Sequence, residues 1–247
     1  MKSIIFAAVV AATLPLAPAY AAVNLVTNGG FETTSRPGNF EFGNTAGAAG
    51  TVTGWTSAST SAYNLLFNSA TANTTNAAGT YQGTGNEYMW ASTASSQGGN
   101  FVALDGDSDV RGALTQMITG LTVGQTYTLS FEWSAGQLRS RTGATTEQLT
   151  YGLGGTTFNT SVVNVASQGT VPWVTVTRNF TATSTSELLS FLSIGTPNGL
   201  PPMALLDNVS LTASVPEPAT WGMMILGFGL MGGSMRYRRR NISAAIA

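Results

Sequence analysis

Polar and apolar residues alternate strictly over residues 126–133, which places Tyr127, Leu129, Phe131 and Trp133 on one face of a β-strand. Further short runs rich in β-branched, aromatic and leucine residues lie between Gly- and Asn-rich turns and predict additional strands. These strands cover residues 100–104, 114–118, 149–153, 171–180, 188–194 and 205–211. Because no helical periodicity interrupts the series, the pattern indicates an all-β fold built as a β-sandwich.

The N-terminal end has the pattern of a cleavable leader. Lys2 precedes an apolar stretch over residues 4–16, and the small-residue pattern Ala19-Tyr20-Ala21 follows it. This order is typical of a signal peptide with its peptidase site. The sequence therefore predicts a signal peptide over residues 1–21 and a β-sandwich ectodomain over residues 22–212.

The C-terminal end contains an uncharged stretch over residues 219–235, followed directly by a basic cluster over residues 236–240. As a helix the uncharged stretch would be roughly 25 Å long, near the lower limit for crossing a bilayer. We therefore predict a transmembrane helix there, with the arginines on the cytoplasmic side and a short tail over residues 241–247. An ordinary stop-transfer anchor would give the same pattern.

A more specific interpretation comes from a resemblance. The Val215-Pro216-Glu217-Pro218 segment, Trp221, the glycine-rich span and the arginine cluster together resemble the PEP-CTERM sorting signal of Gram-negative bacteria. The match departs mainly at Gly222, where alanine is usual. The residues that carry the motif are Pro216, Glu217, Pro218, Trp221, Arg238, Arg239 and Arg240.

The resemblance implies that an exosortase, a membrane-embedded cysteine transpeptidase-like enzyme, cuts near the Pro-Glu-Pro element. It also implies export through the inner membrane to the envelope, surface or extracellular matrix of a Gram-negative bacterium. The two prolines keep Glu217 out of any helix, in an extended conformation that suits a protease substrate. Glu217 is thus predicted to be a substrate residue rather than a catalyst.

The region between the two ends looks like the jelly-roll, galactose-binding-like modules of bacterial surface proteins and carbohydrate-binding modules. The segments that carry this resemblance are residues 24–32, 54–55, 101–106, 116–131 and 206–211. The resemblance implies a jelly-roll sandwich of eight to ten strands in which the first and last strands lie close together.

Composition and charge exclude several kinds of site. The chain has neither cysteine nor histidine, which rules out disulfides, thiolate nucleophiles, Cys/His zinc sites and histidine-based triads. Between Ala22 and Pro218, five arginines face eleven carboxylates, a formal charge of −6. Since such a surface repels phosphate backbones, nucleic acid is not an expected partner.

Six aromatic residues could offer ring faces for stacking against sugars: Trp55, Tyr63, Tyr81, Tyr88, Trp90 and Trp173. Tyr88 and Trp90 lie in the long polar stretch over residues 57–99, so these two are our predicted exposed ligand contacts. Trp55 and Trp173 are predicted to be structural. Arg139 and Arg141 lie in a polar connection, where they could bind an anionic polysaccharide or simply be solvated.

A structural calcium ion is a second candidate ligand. Leu205, Asp207, Val209 and Leu211 would share one strand face, which points Asp207 toward the interior, where its charge needs compensation. The module resemblance implies that Asp207 and Glu32 help to hold Ca²⁺, which favours oxygen ligands. The alternative, that Asp207 accepts backbone hydrogen bonds, stays open. The acidic run over residues 105–109 fails the EF-hand pattern and is predicted to be a solvated turn.

These patterns favour a non-enzymatic surface or matrix protein that an exosortase sorts and that associates with exopolysaccharide in a biofilm or envelope. The alternative is a carbohydrate-binding module protein with one defined glycan ligand. Glycoside hydrolysis is the third hypothesis, because two carboxylates would suffice for it, but no pair is marked in the sequence.

Overall fold

The computed structural model describes residues 23–42, 48–57, 62–79, 87–91, 93–200, 202–214 and 218–243. The predicted signal peptide, Tyr81 and the Pro216-Glu217 pair lie outside these residues. Within the C-terminal helix, side chains are described only over residues 222–234.

Within the described residues, twelve strands form two antiparallel sheets. The strands of sheet 1, in spatial order, are β1 (Phe40–Phe42), β3 (Asn64–Asn68), β4 (Asn100–Asp105), β12 (Pro202–Ala213), β6 (Thr126–Gln137) and β10 (Val174–Thr181). Those of sheet 2 are β2 (Thr56–Ser57), β5 (Leu114–Thr119), β11 (Ser186–Thr196), β7 (Thr145–Leu153) and β8 (Thr156–Asn159), and β9 (Val163–Val165) also pairs with β7.

Successive strands from β4 to β7, and again from β10 to β12, alternate between the two sheets. This is the connectivity of a jelly roll, so the predicted all-β jelly-roll sandwich is confirmed. The expected count of eight to ten strands is too low. Strands β1, β2 and β9 have three residues or fewer, too short to produce a recognisable alternation.

The space between the sheets is filled by large apolar side chains. Tyr127, Leu129, Phe131 and Trp133 all face this core, as the alternation predicts. The Phe131 ring makes edge contacts with Phe191 at 5.1 Å and with Tyr151 at 4.9 Å between ring centroids. These contacts join β6 of sheet 1 to β11 and β7 of sheet 2.

Sheet 1 is apolar on its outer face as well. Along β4, Val102 and Leu104 face the core between the sheets, whereas Phe101 and Ala103 belong to a separate buried cluster on the other side. The cover segment, which we define as the described part of residues 69–99, closes this outer cluster with Ala72, Ala77 and Met89. Half of sheet 1 therefore lies between two apolar layers.

The two ends of the sandwich meet. The backbone N–H of Leu25 donates to the carbonyl of Leu211 at 2.9 Å, and the N–H of Val209 donates to the carbonyl of Gly29 at 2.9 Å. The side-chain oxygen of Asn24 also accepts from Leu211. The predicted closeness of the first and last segments is confirmed.

A single described helix, α1 (Pro218–Ser243), follows the sandwich and contains Pro218, Trp221 and Arg238 to Arg240. Its 26 residues are long enough to cross a bilayer. Yet no helix within the described ranges is both long and apolar enough to do so. Five glycines over residues 222–233 and the arginines from Arg236 lower the mean hydropathy, so the prediction of a transmembrane helix over residues 219–235 is not supported.

Replacing Gly29 by alanine should destabilise the closure of the sandwich. The Val209 carbonyl oxygen lies 1.9 Å from the position of the added Cβ, and backbone cannot move aside cheaply. We expect a loss of about 2–3 kcal/mol in unfolding free energy, measured by urea denaturation. The neighbouring Gly30→Ala is the matched control, because its Cβ has 3.8 Å to the nearest atom. Equal stability of the two variants would contradict this account of the closure.

Candidate functional site

A short two-stranded arrangement at one end of sheet 1 positions the predicted ligand residues. The backbone N–H of Trp90 donates to the Gln137 carbonyl at 3.0 Å, and the backbone N–H of Arg139 donates to the Tyr88 carbonyl at 2.7 Å. Between these two bonds, Met89 pairs with Leu138, and both are buried in the outer cluster. The cover segment is thus tied to the end of β6, with alternate side chains pointing outward.

Tyr88, Trp90 and Arg139 lie together on the outward side, and we call these three residues the aromatic ledge. The Arg139 guanidinium carbon is 5.2 Å from the Tyr88 ring centroid and 5.0 Å from that of Trp90. Both rings are partly exposed, and Arg139 is exposed. The cation holds the two rings by cation–π attraction while leaving ring surface open to solvent.

Arg141, the fourth predicted ligand residue, has its side chain elsewhere. Its carbonyl accepts a 2.6 Å hydrogen bond from the Trp90 indole N–H, which fixes the ring. Its guanidinium lines a neighbouring cavity, where the Nε atom is buried without a hydrogen-bond partner. The structure therefore brings three of the four residues into one surface and assigns the fourth to a second site.

This cavity, the apical pocket, has a volume of about 230 Å³. The strand ends and loops around it supply a ring of polar groups. Its polar lining comprises Tyr63, Glu87, Asp105, Asp107, Asp109, Ser140 and Arg141. Since Glu87 precedes Tyr88, and Arg141 is hydrogen-bonded to Trp90, the apical pocket and the aromatic ledge are adjacent.

The acidic run over residues 105–109 forms one wall of the apical pocket. Asp107 is buried, and its two carboxylate oxygens accept from the N–H groups of Gly199 at 2.5 Å and Asp109 at 3.0 Å. Asp105 is 2% exposed and accepts from the Asp107 N–H at 2.7 Å. The prediction of a solvated turn is wrong for these two residues, because the connection between β11 and β12 folds over them.

Burial perturbs the ionisation of this region. Burial raises the pKa of Asp105 to about 7. The hydrogen bond from the Asp107 N–H and the Arg141 cation lower this pKa, whereas the Asp107 charge raises it. Near Asp105, burial raises the pKa of Glu147 to about 8, although hydrogen bonds from the Ser193 hydroxyl and the Gln148 N–H lower it. Among the described residues the buried Glu147 Oε2 atom has no hydrogen-bond partner, which also favours the protonated form.

The predicted metal residues Glu32 and Asp207 lie at the other end of the outer face of sheet 1. Asp207 is buried, as predicted, and accepts from the Ser95 hydroxyl at 2.5 Å and the Asn208 N–H at 2.7 Å. Burial raises the pKa of Asp207 to about 7, and the charges of Glu32 and Glu132 raise it further. Glu32 accepts from the Asn100 N–H at 2.7 Å.

The expectation that four residues of β12 share one face is wrong. The register of β12 shifts between Asp207 and Ser210, where Asn208 has a φ of 53°. This bulge leaves Leu205 in the outer cluster but turns Val209 and Leu211 into the core between the sheets.

Calcium binding at Glu32 and Asp207 stays a prediction. Within the described ranges, no three acidic side chains come close enough to hold a metal ion. The alternative that Asp207 accepts backbone hydrogen bonds agrees with the Asn208 N–H bond, whereas its second donor is the Ser95 side-chain hydroxyl. A lower melting temperature after chelation would support the ion.

Trp55 and Trp173 are structural, as predicted. Trp55 is buried and donates from its indole N–H to the Asn28 carbonyl at 3.0 Å, and Trp173 packs on the outer cluster and donates to Thr93. Sequence reasoning missed Glu87 and did not connect Tyr63 with the acidic run. No local signal could have done so, because strands distant in sequence bring these side chains together.

The described residues thus form a jelly-roll β-sandwich that carries an open aromatic surface beside a polar pocket. Residues 214–240 match the PEP-CTERM protein-sorting motif, so the C-terminal tail is a PEP-CTERM sorting domain. All seven predicted sorting residues lie within the match. The motif implies an exosortase-processed protein that is exported to the cell envelope or surface. No curated protein matches the chain significantly.

Several solved structures are similar in fold. One is TmCBM61 in complex with β-1,4-galactotriose, with a TM-score of 0.42, 15% identity, and coverage of 78% of this chain and 100% of that one. A putative sugar-binding protein from Bacteroides thetaiotaomicron has a TM-score of 0.36, 15% identity and coverage of 78% and 100%. The CBM22-1 xylan-binding domain from Paenibacillus barcinonensis Xyn10C has a TM-score of 0.35, 12% identity and coverage of 79% and 97%. These similarities are too distant to transfer a ligand.

The stability of the domain should fall as the pH rises from about 4 to about 8. An unfolded glutamate titrates near pH 4.3, whereas Glu147 in the folded chain titrates near pH 8. Between these values the folded state binds the extra proton, so the unfolding free energy decreases with pH, and Asp105 contributes in the same direction. Thermal unfolding followed by circular dichroism between pH 5 and pH 9 measures the slope.

The variant Glu147→Gln isolates this contribution, because glutamine retains the accepting oxygen and cannot ionise. We expect a melting temperature equal to that of the wild type at pH 5 and several degrees higher at pH 8. Asp109→Asn removes an exposed carboxylate and serves as the control. Parallel pH profiles for the wild type and Glu147→Gln would contradict the buried-acid assignment.

Proposed function

We propose that this chain is a non-catalytic surface protein whose sandwich binds an exopolysaccharide on the aromatic ledge, with the C-terminal tail serving only for sorting. The observation that carries the proposal is the pair of partly exposed rings held around one guanidinium. Tyrosine and tryptophan faces stack on the apolar C–H faces of sugar rings, and Arg139 can donate to sugar hydroxyls.

The rigidity of the aromatic ledge supports this role. The Trp90 ring is fixed by its bond to the Arg141 carbonyl, and the backbone of residues 88–90 is paired with that of residues 137–139. A ring that is already ordered loses little conformational entropy when a sugar stacks on it. By contrast, the side chains of β5 and β11 that point outward from sheet 2 include no aromatic ring.

Loss of the Trp90 ring should weaken glycan binding. For Trp90→Ala we expect about a tenfold lower affinity, equivalent to about 1.4 kcal/mol, for exopolysaccharide purified from the native host, measured by isothermal titration calorimetry. Trp173→Phe is the control, because that ring packs against Phe101 of the outer cluster rather than lying on the aromatic ledge. If Trp90→Ala, with its fold verified by circular dichroism, binds the polysaccharide as tightly as the wild type, the ledge is not the binding site.

Sorting is tested separately by the intact mass of the protein from its host. With an active exosortase we expect a mature form that lacks the chain beyond the Pro-Glu-Pro element. Deletion of the exosortase, or replacement of Pro216, Glu217 and Pro218 by alanine, should retain the tail. An identical mass in the presence and absence of the enzyme would contradict exosortase processing.

The proposal that the protein is not an enzyme can be tested separately. The apical pocket holds several carboxylates, and glycoside hydrolysis needs only two. We expect no reducing sugar to be released from host polysaccharide by the purified protein. Sugar release that Asp105→Asn abolishes would instead support hydrolysis.

A further inference from the structure

The apical pocket has a chemistry different from that of the aromatic ledge. Carboxylates dominate its lining, and carboxylates only accept hydrogen bonds when ionised. Its volume of about 230 Å³ is below the roughly 300–1,000 Å³ of pockets that take drug-sized ligands. A single small polar group or sugar ring is therefore the largest ligand that it can enclose.

Two polar groups of the pocket lining, the Asp105 carboxyl group and the Arg141 Nε–H, point to a missing ligand. Asp105 is 2% exposed and lines the apical pocket, and its side chain has one hydrogen bond within the described residues, from the Asp107 N–H to Oδ1. Its second carboxylate oxygen can therefore accept from a ligand. The Arg141 Nε–H is buried without an acceptor among the described residues, and a buried unpaired donor is costly.

We propose that the apical pocket binds a protonated amino sugar, a 2-amino-2-deoxyhexose residue of the polysaccharide, with its ammonium group on Asp105 and Asp109 and the neighbouring hydroxyl on Arg141. This inference rests on the proposed glycan-binding function and specifies its ligand class. A primary ammonium group offers three donors to the carboxylates, and the adjacent hydroxyl offers the acceptor that Arg141 lacks.

The lining favours an ammonium group over a metal ion. The described residues contain no group of three or more acidic side chains arranged to hold a metal ion. An ammonium group needs only hydrogen-bond acceptors, and the carboxylates of the lining provide them. The formal charge of −6 between Ala22 and Pro218 also attracts a cationic sugar.

The location also fits a sugar chain that extends onto the aromatic ledge. Glu87 and Arg141 line the pocket, whereas Tyr88 and Trp90, on the same backbone segments, face the outside. One amino sugar residue in the pocket would continue as neighbouring residues stacked on the rings. The pocket would then select the glycan by its amine. The ledge would bind the neighbouring sugar residues whether or not they carry an amine.

The test compares two probes that differ only at the amine: a β-1,4-linked glucosamine tetramer and its N-acetylated counterpart, titrated calorimetrically at pH 7. We expect the wild type to bind the free amine at least about tenfold more tightly. Asp105→Asn and Asp109→Asn should each lower the affinity for the free amine about three- to tenfold and leave the acetylated probe unchanged. Asparagine at position 105 keeps the acceptor for the Asp107 N–H, so the fold should persist.

Glu132→Gln is the control for unspecific attraction, because it removes one negative charge about 20 Å away along β6. Equal affinities for the two probes, or no binding of either, would overturn the pocket assignment. An effect of Glu132→Gln as large as that of Asp105→Asn would do the same. Trp90→Ala separates the two sites. If the wild type binds the two probes equally and this variant binds neither, only the ledge is supported. If the variant still prefers the free amine and binds host polysaccharide as the wild type does, only the pocket is supported.

Discussion

The structure depends on the burial of both faces of strands β3, β4 and β12. In an ordinary sandwich one face of each sheet meets water, but here Phe67, Phe101 and Leu205 would then be exposed. Burying a side chain of this size contributes about 1.5–3 kcal/mol, so the outer face needs a cover. The cover segment provides it, and its Ala72, Ala77 and Met89 are part of the core.

The candidate sites follow from that constraint. Met89 and Leu138 bury the inner side of the junction between the cover segment and β6, and strand alternation then places Tyr88 and Trp90 outside. The same junction sets Glu87 and Arg141 over the strand ends that carry Asp105. Apolar packing therefore builds the aromatic ledge and holds carboxylates where water cannot fully solvate them.

Much of this architecture could be predicted from the sequence. The alternation over residues 126–133 identified β6 and its inward face, and the runs around Phe101 and Leu205 identified β4 and β12. The Pro-Glu-Pro tail was recognisable because a sorting signal is a local motif. The pair Tyr88 and Trp90 was also chosen correctly as partly exposed, since both residues lie in a polar stretch.

The remaining features arise from contacts between distant segments. An apolar segment such as residues 101–104 is compatible with a strand that has one buried face and with a strand that has two. The sequence could therefore not show that the outer face of sheet 1 needs a cover. The bulge after Asp207 changes the face of Val209 and Leu211 without any glycine or proline to mark it. The sequence predicts a solvated acidic run at residues 105–109, because the segments that bury Asp105 and Asp107, around Tyr63 and Gly199, are remote in sequence.

The most direct test of the account is an NMR titration of the tryptophan indole groups. The chain has five tryptophans, and their indole ¹H–¹⁵N signals can be assigned by single substitutions. When fragments of the host exopolysaccharide are added, we expect the Trp90 signal to shift and those of Trp55, Trp133 and Trp173 to stay in place. A Trp90 signal that does not move at saturating glycan, or movement of the Trp55, Trp133 or Trp173 signals alone, would contradict glycan binding on the aromatic ledge.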